Sequence, residues 1–184
     1  IEQVKSHVNP STFNIGLCWR ATKCKTSDQK IRPNPRDIPL NILASIHNNS
    51  ITLYSLLKYD QFNELHNSVV KKMPSSWDTR GAFLDTMTLI EMMDLIITVD
   101  TSIAHLAGAM GKKTWLILTC QSDWRWGKHT TETSWYPTMK IFRQKTYDDW
   151  QSVMQEITNE LTIITSKHLT SKKPIDHLLE RLIQ

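Results

Sequence analysis

The 184-residue chain is long enough for one domain or one and a half. With 40% hydrophobic and 22% charged residues it can bury a core, which excludes an intrinsically disordered chain. The net charge of +4 suits an anionic ligand but falls short of a histone-like tail, so nucleic acid is not an expected partner.

Residues 1–13 read as a lead-in or linker, and 14–168 as one domain. The run Ile15-Gly16-Leu17-Cys18-Trp19 has the length of a buried strand. A polar segment, 20–36, follows it with six basic residues against one acid, Asp28, and Pro33 and Pro35 keep its end irregular. Ile38 to Ile46 predicts a short helix, 51–56 a second strand, and Val69-Val70 a short third strand inside an irregular stretch, 58–82. Asp85 is the expected N-cap of a helix over 86–93.

Leu95 to Val99 is β-branched and apolar almost throughout, as a parallel strand buried on both faces would be. It runs directly into Asp100-Thr101-Ser102 and a helix with Ile103, Leu106, Ala107 and Met110 on one stripe, closed by Gly111. Thr114 to Thr119 and Met139 to Phe142 are the last two strands, joined by a tryptophan-rich loop over 121–138. In that loop Trp135, Tyr136 and Pro137 are expected to be structural. Thr146 and Asp149 suggest a helix start, followed by a helix to 164 with Trp150, Val153, Met154, Ile157 and Leu161 on its buried face. Ser171 to Pro174 predicts a break, and 169–184 holds a final amphipathic helix. Strands alternating with helices predict an α/β fold, a Rossmann-like doubly wound parallel sheet in the order 3-2-1-4-5-6.

In such a sheet ligands bind beyond the carboxyl ends of the strands, where the order reverses. The first and fourth strands would be neighbours there. The basic segment leaves the first, and the Asp100 turn leaves the fourth. Unpaired N–H groups at Thr101, Ser102 and Ile103 favour an anion, and the hydroxyls of Thr101 and Ser102 add hydrogen bonds. Lys23, Lys25 and Arg36 supply charge. His105 falls in the first helical turn, within reach of a phosphate or a sugar hydroxyl. Trp124 can stack on a ring, and Arg125 can pair with phosphate. Neither G-x-G-x-x-G nor G-K-[ST] is present, so the standard dinucleotide and P-loop fingerprints are excluded.

The run from Asp94 to Lys112, through Val99-Asp100-Thr101-Ser102-Ile103-Ala104-His105-Leu106-Ala107-Gly108, resembles the donor-site motif of heptosyltransferase-like glycosyltransferases, glycosyltransferase family 9. Gly16-Leu17-Cys18-Trp19, Arg36-Asp37-Ile38-Pro39-Leu40, Asp85-Thr86, Asp123-Trp124-Arg125-Trp126, Ser134-Trp135-Tyr136-Pro137 and Phe142-Arg143-Gln144 are similar to the branch often fused to tetratricopeptide repeats. The blocks fall in order over about 14–150. The resemblance implies the C-terminal half of a GT-B glycosyltransferase, which holds the nucleoside-diphosphate sugar donor. It implies that Asp100, Thr101, Ser102 and His105 line the donor site, and that Lys23 or Lys25 is its phosphate lysine. The general base is expected in an N-terminal acceptor domain or a partner chain. The loop 21–35 is longer than the family pattern, and Arg20 stands where a small residue is usual.

The expected function is donor binding in transfer of a sugar to a hydroxyl acceptor, the isolated chain being inactive. The alternatives are a non-catalytic nucleotide-binding module and a degenerate relic or interaction module. No cofactor or metal is expected: the cysteines, Cys18, Cys24 and Cys120, match no zinc spacing even with His105. Their odd number and lack of a C-x-x-C pair exclude a disulfide scaffold and suggest a reducing compartment. The cytoplasm is the expected location, including a peripheral position at a membrane. No transmembrane segment or signal peptide is expected, and the opening Ile1 suggests a fragment or a processed product.

Overall fold

Five short apolar runs pair side by side into one parallel sheet. The computed structural model describes residues 4, 6–21, 24–25, 31–32, 34–58, 63–74, 76–79 and 81–182, with the backbone alone for 24–25, 31–32 and 169–182. The strands are β1 (Phe13–Cys18), β4 (Ile51–Ser55), β5 (Leu95–Val99), β6 (Thr114–Leu118) and β7 (Met139–Arg143). Their order is β4-β1-β5-β6-β7, every pair parallel. A small antiparallel pair, β2 (Cys24–Lys25) and β3 (Ile31–Arg32), stands apart from this sheet. β5 is central and wholly buried, as its β-branched residues require of a strand covered on both faces. The expected third strand is reduced to one parallel bridge, Tyr54 to Lys71, on the outer edge of β4. Val69 is half exposed there, and Pro74 cannot donate to a ladder, so the run ends early.

Helices cover both faces. The expected helix over Ile38 to Ile46 is α1 (Leu40–Leu43), tightened into a 3₁₀ turn over Ala44–Ile46. It shares one face with α4 (Trp150–Leu182). The other face holds α2 (Leu84–Glu91) and α3 (Ser102–Ala109), packed with Leu56, Ile90, Ile96 and Ala107. Val4 and Val8, from the lead-in, are buried on this second face.

Three helix ends differ from expectation. Asp85 is inside the first turn of α2, and Phe83 is its N-cap. The capping oxygens come from Asp78, which accepts from the N–H groups of Asp85 and Thr86, while Asp85 accepts in return from the N–H of Asp78. A carboxylate seven residues upstream thus does the work of a local cap. α4 starts at Trp150 rather than near 147, and Asp149, not Thr146, caps it by accepting from the N–H and hydroxyl of Ser152. The expected break at Ser171–Pro174 is absent, and one helix runs through it. Proline removes a single i→i−4 bond, at a cost of about 3 kcal/mol, and the turns on both sides stay helical.

α3 ends as its sequence predicts. Gly111 has φ +69°, its N–H donates to Gly108, and that of Lys112 donates to Ala107. This is the Schellman pattern, which needs a residue at ease in the left-handed region. Among the described residues no helix is long and apolar enough to cross a membrane.

Candidate functional site

The carboxyl ends of β1, β4 and β5 open into a cleft of about 550 Å³. β1 and β5 are neighbours, Cys18 pairing with Thr98, so the segment after β1 and the turn after β5 meet as the strand order requires. Arg36, Asp100, Ser102, His105 and Arg125 line it, together with Leu56, Leu57, Lys58, Asp78, Ala82 and Phe83. Arg36 and Asp100 also border a neighbouring hollow of about 370 Å³ under the 119–123 loop.

α3 begins at the centre of the cleft. Its N-cap, Thr101, accepts from the N–H of Ile103 at 3.2 Å, so that donor already has an acceptor. The N–H of Ala104 turns back to the Thr101 carbonyl. Ser102, the first helical residue, keeps an N–H for which the helix itself has no acceptor. Below Thr101 is Cys18, whose sulfur is 3.6 Å from the Thr101 hydroxyl. Burial pushes this thiol above its usual range, so Cys18 stays protonated and acts as packing.

The arginines of the cleft are each held by a carboxylate. Arg36 donates through Nη1 to the Asp100 carbonyl at 2.9 Å and lies 3.4 Å from its carboxylate. Asp100 is only 6% exposed, so this contact keeps a buried charge paired. Arg125 grips Asp123 with both Nε and Nη2 at 2.9 Å. The same grip, aided by the Arg125 N–H, pulls the Asp123 carboxyl down to about 2. Arg20 donates twice to Glu64 at 2.7 Å and once to Asp37 at 3.0 Å. Asp37 accepts from the backbone N–H groups of Ala21 and Asn34 as well, joining both flanks of the 22–33 loop.

His105 is fixed from two sides. Its Nδ1 lies 2.9 Å from the Tyr136 hydroxyl, and its ring stacks on Trp126 with centroids 5.2 Å apart. Gly108, one turn on, allows Tyr136 this approach: a Cβ there would fall 2.5 Å from the Tyr136 ring. Arg143 holds the Trp126 turn from below, donating to the carbonyls of Trp126 and Gly127 and to the Ser122 hydroxyl.

Of the sequence-derived candidates, the cleft brings together Arg36, Asp100, Thr101, Ser102, Ile103, His105 and Arg125. Trp124 is not among its walls and is 82% exposed. Its side chain points away because Trp126, two residues on, takes the buried side of the 3₁₀ turn. Trp135 is 61% exposed rather than structural, whereas Tyr136 supports His105. Lys23 lies outside the described residues, and for Lys25 only the backbone of β2 is described. Sequence reasoning missed Glu64, Asp78 and Phe83. Glu64 and Asp78 fall in a stretch read as irregular, where nothing marks a partner for Arg20 or a distant cap. Leu56 ends a predicted strand, so the strand-end rule alone could have found it. Among the described residues no group of three or more His, Cys, Asp or Glu could hold a metal ion.

No family model matches the sequence, and neither does any curated protein. Among solved structures, the chain is similar to the ADP-heptose LPS heptosyltransferase II of E. coli, with a TM-score of 0.57 at 12% identity. The match covers 91% of this chain and 53% of that one. The chain therefore spans about half the length of that enzyme. At this identity the likeness is one of fold: a Rossmann-like α/β sheet of the kind found in a glycosyltransferase.

Proposed function

We propose that the chain is the donor-binding half of a GT-B glycosyltransferase, in the tetratricopeptide-associated branch of family 9. It would hold a nucleoside-diphosphate sugar for transfer to a hydroxyl acceptor. The observation that carries this reading is the convergence of Arg36, Arg125 and the start of α3 on one cleft at the switch point of a glycosyltransferase-like sheet. A departing diphosphate must be neutralised as the glycosidic bond breaks. The Ser102 N–H, the α3 dipole and the two guanidinium groups can do this, with Lys23 or Lys25 as a further cation. His105, fixed by Tyr136 and Trp126, lines the cleft and would contact the ligand. The acceptor and its general base would belong to a second domain or chain, and cytoplasmic placement fits a nucleotide-sugar donor.

A second reading is favoured by the pairing of the arginines. Arg20, Arg36 and Arg125 each bind a carboxylate already, as they would in a non-catalytic binding module or a relic whose cleft has become self-sufficient. Titration calorimetry with ADP, UDP and their sugar conjugates separates a nucleotide-binding cleft from the relic. The donor reading expects binding that weakens with salt and falls by ~1–3 kcal/mol in Arg36→Ala. A chain that binds no diphosphate would leave the relic.

A further inference from the structure

The run Asn34-Pro35-Arg36-Asp37 folds as a tight turn, with asparagine and proline at the positions such turns favour. The N–H of Asp37 donates to the Asn34 carbonyl at 2.8 Å and closes it. The Asn34 side chain then serves Arg36 twice. Its Oδ1 accepts from the Arg36 backbone N–H at 3.1 Å and from Nε of the Arg36 side chain at 3.2 Å. Asn34 is itself buried, and its own N–H donates to the Asp37 carboxylate at 3.1 Å.

Arg36 is therefore held at two of its three guanidinium nitrogens, Nε by Asn34 and Nη1 by the Asp100 carbonyl at 2.9 Å. Two fixed nitrogens fix the plane of the whole group. Nη2 is left over, and among the described residues nothing accepts from it. The other two arginines of the cleft differ. Arg20 gives all three nitrogens to carboxylates, and Arg125 gives Nε and Nη2 to one. The Arg36 side chain is 44% exposed and borders both the cleft and the hollow beside it, so a ligand there meets a guanidinium already oriented. A free arginine loses rotamer entropy when it grips a phosphate, whereas here that loss has occurred on folding.

Resting on the donor reading above, we propose that Asn34 is a positioning residue of the diphosphate site, which through Nε sets the Arg36 guanidinium so that Nη2 is presented to the phosphates. Asn34 is not among the walls of the cleft, so its effect passes through Arg36. The support continues behind it. The Asp37 carboxylate that accepts from the Asn34 N–H also accepts from Nη1 of Arg20, and Arg20 in turn grips Glu64. Residues acting as one unit are energetically coupled. Removing the Asn34 side chain should therefore matter only while Arg36 is present.

The test is a double-mutant cycle, read by calorimetry with ADP and inorganic pyrophosphate on the whole chain. Asn34→Ala should weaken both ligands about three- to tenfold, and Arg36→Ala at least as much. The double variant should bind no more weakly than Arg36→Ala alone. In the free chain, NMR should show the Arg36 Nε–H protected from exchange in wild type and unprotected in Asn34→Ala. If Asn34→Ala does not fold, Asn34→Asp keeps an acceptor for Nε and should retain that protection; its loss there would overturn the proposal. Unchanged affinity in Asn34→Ala would also overturn it. So would an equal loss with and without Arg36, which would mean that Asn34 acts on the loop at large, and the donor reading would still stand. Wild-type chain that binds neither ligand would overturn the donor reading, and the positioning role with it.

Discussion

The hydroxyl of Tyr136 meets Nδ1 of His105 at 2.9 Å, and the contact exists because residue 108 has no side chain. A helix, a loop and a cleft side chain are therefore coupled through one missing methyl group. Gly108→Ala should push the Tyr136 ring aside and cost ~1–3 kcal/mol, as overpacking does. Urea denaturation measures the cost, and the His105 ring resonances report the lost contact. His105 signals unchanged in a folded Gly108→Ala chain would refute the coupling.

Trp150 begins α4 and is 5% exposed in the core beneath the sheet, beside Val153 and Ile157. Trp150→Ala should cost ~3–5 kcal/mol in chemical denaturation. A loss under ~1 kcal/mol would mean that the helix does not close this face.

The Asp123–Arg125 grip has a pH signature. Its carboxyl is depressed to about 2, below the roughly 3.9 of an unperturbed aspartate. The ionised form is the one favoured in the folded turn, so the contribution is present above about pH 4 and lost as pH falls through 2. A carboxyl titration by NMR should place Asp123 near the lower value, and Arg125→Ala should return it toward the ordinary one. A titration indifferent to that substitution would show that the grip does not form in solution.

Trp124 stands outside the cleft on a turn that Arg125 and Asp123 hold rigid. Trp124→Ala should leave diphosphate binding within twofold of wild type by calorimetry. A larger loss would mean that the ring folds inward over the ligand.

The sheet was legible because β1, β5 and β6 are short apolar runs with sharp ends, and burial on both faces leaves such runs few alternatives. The crevice followed from topology, since adjacent strands β1 and β5 bring their outgoing segments together. Contacts between side chains distant in sequence were not legible. Nothing near Arg20 announces Glu64, and nothing near Asp85 announces that Asp78 supplies the cap. Trp124 and Trp126 differ by two positions on a 3₁₀ turn, and which of them turns inward is decided by Arg143 and His105, elements apart in the chain. Phe83 escaped notice because its left-handed conformation is one that residue type alone assigns to glycine, and nothing about a phenylalanine announces it.

The Asp37 carboxylate also bears on how the chain can change over evolution. It takes hydrogen bonds from Ala21 and Asn34, so the two flanks of the 22–33 loop are joined irrespective of what lies between them. Arg20, held to the same carboxylate and to Glu64, braces the joint from the other side. Closure entropy grows only slowly with the length of the segment between two joined ends. Insertions and deletions between 22 and 33 can therefore accumulate without shifting Arg36 from Asp100. This point is a natural place to graft a new recognition segment onto the rim.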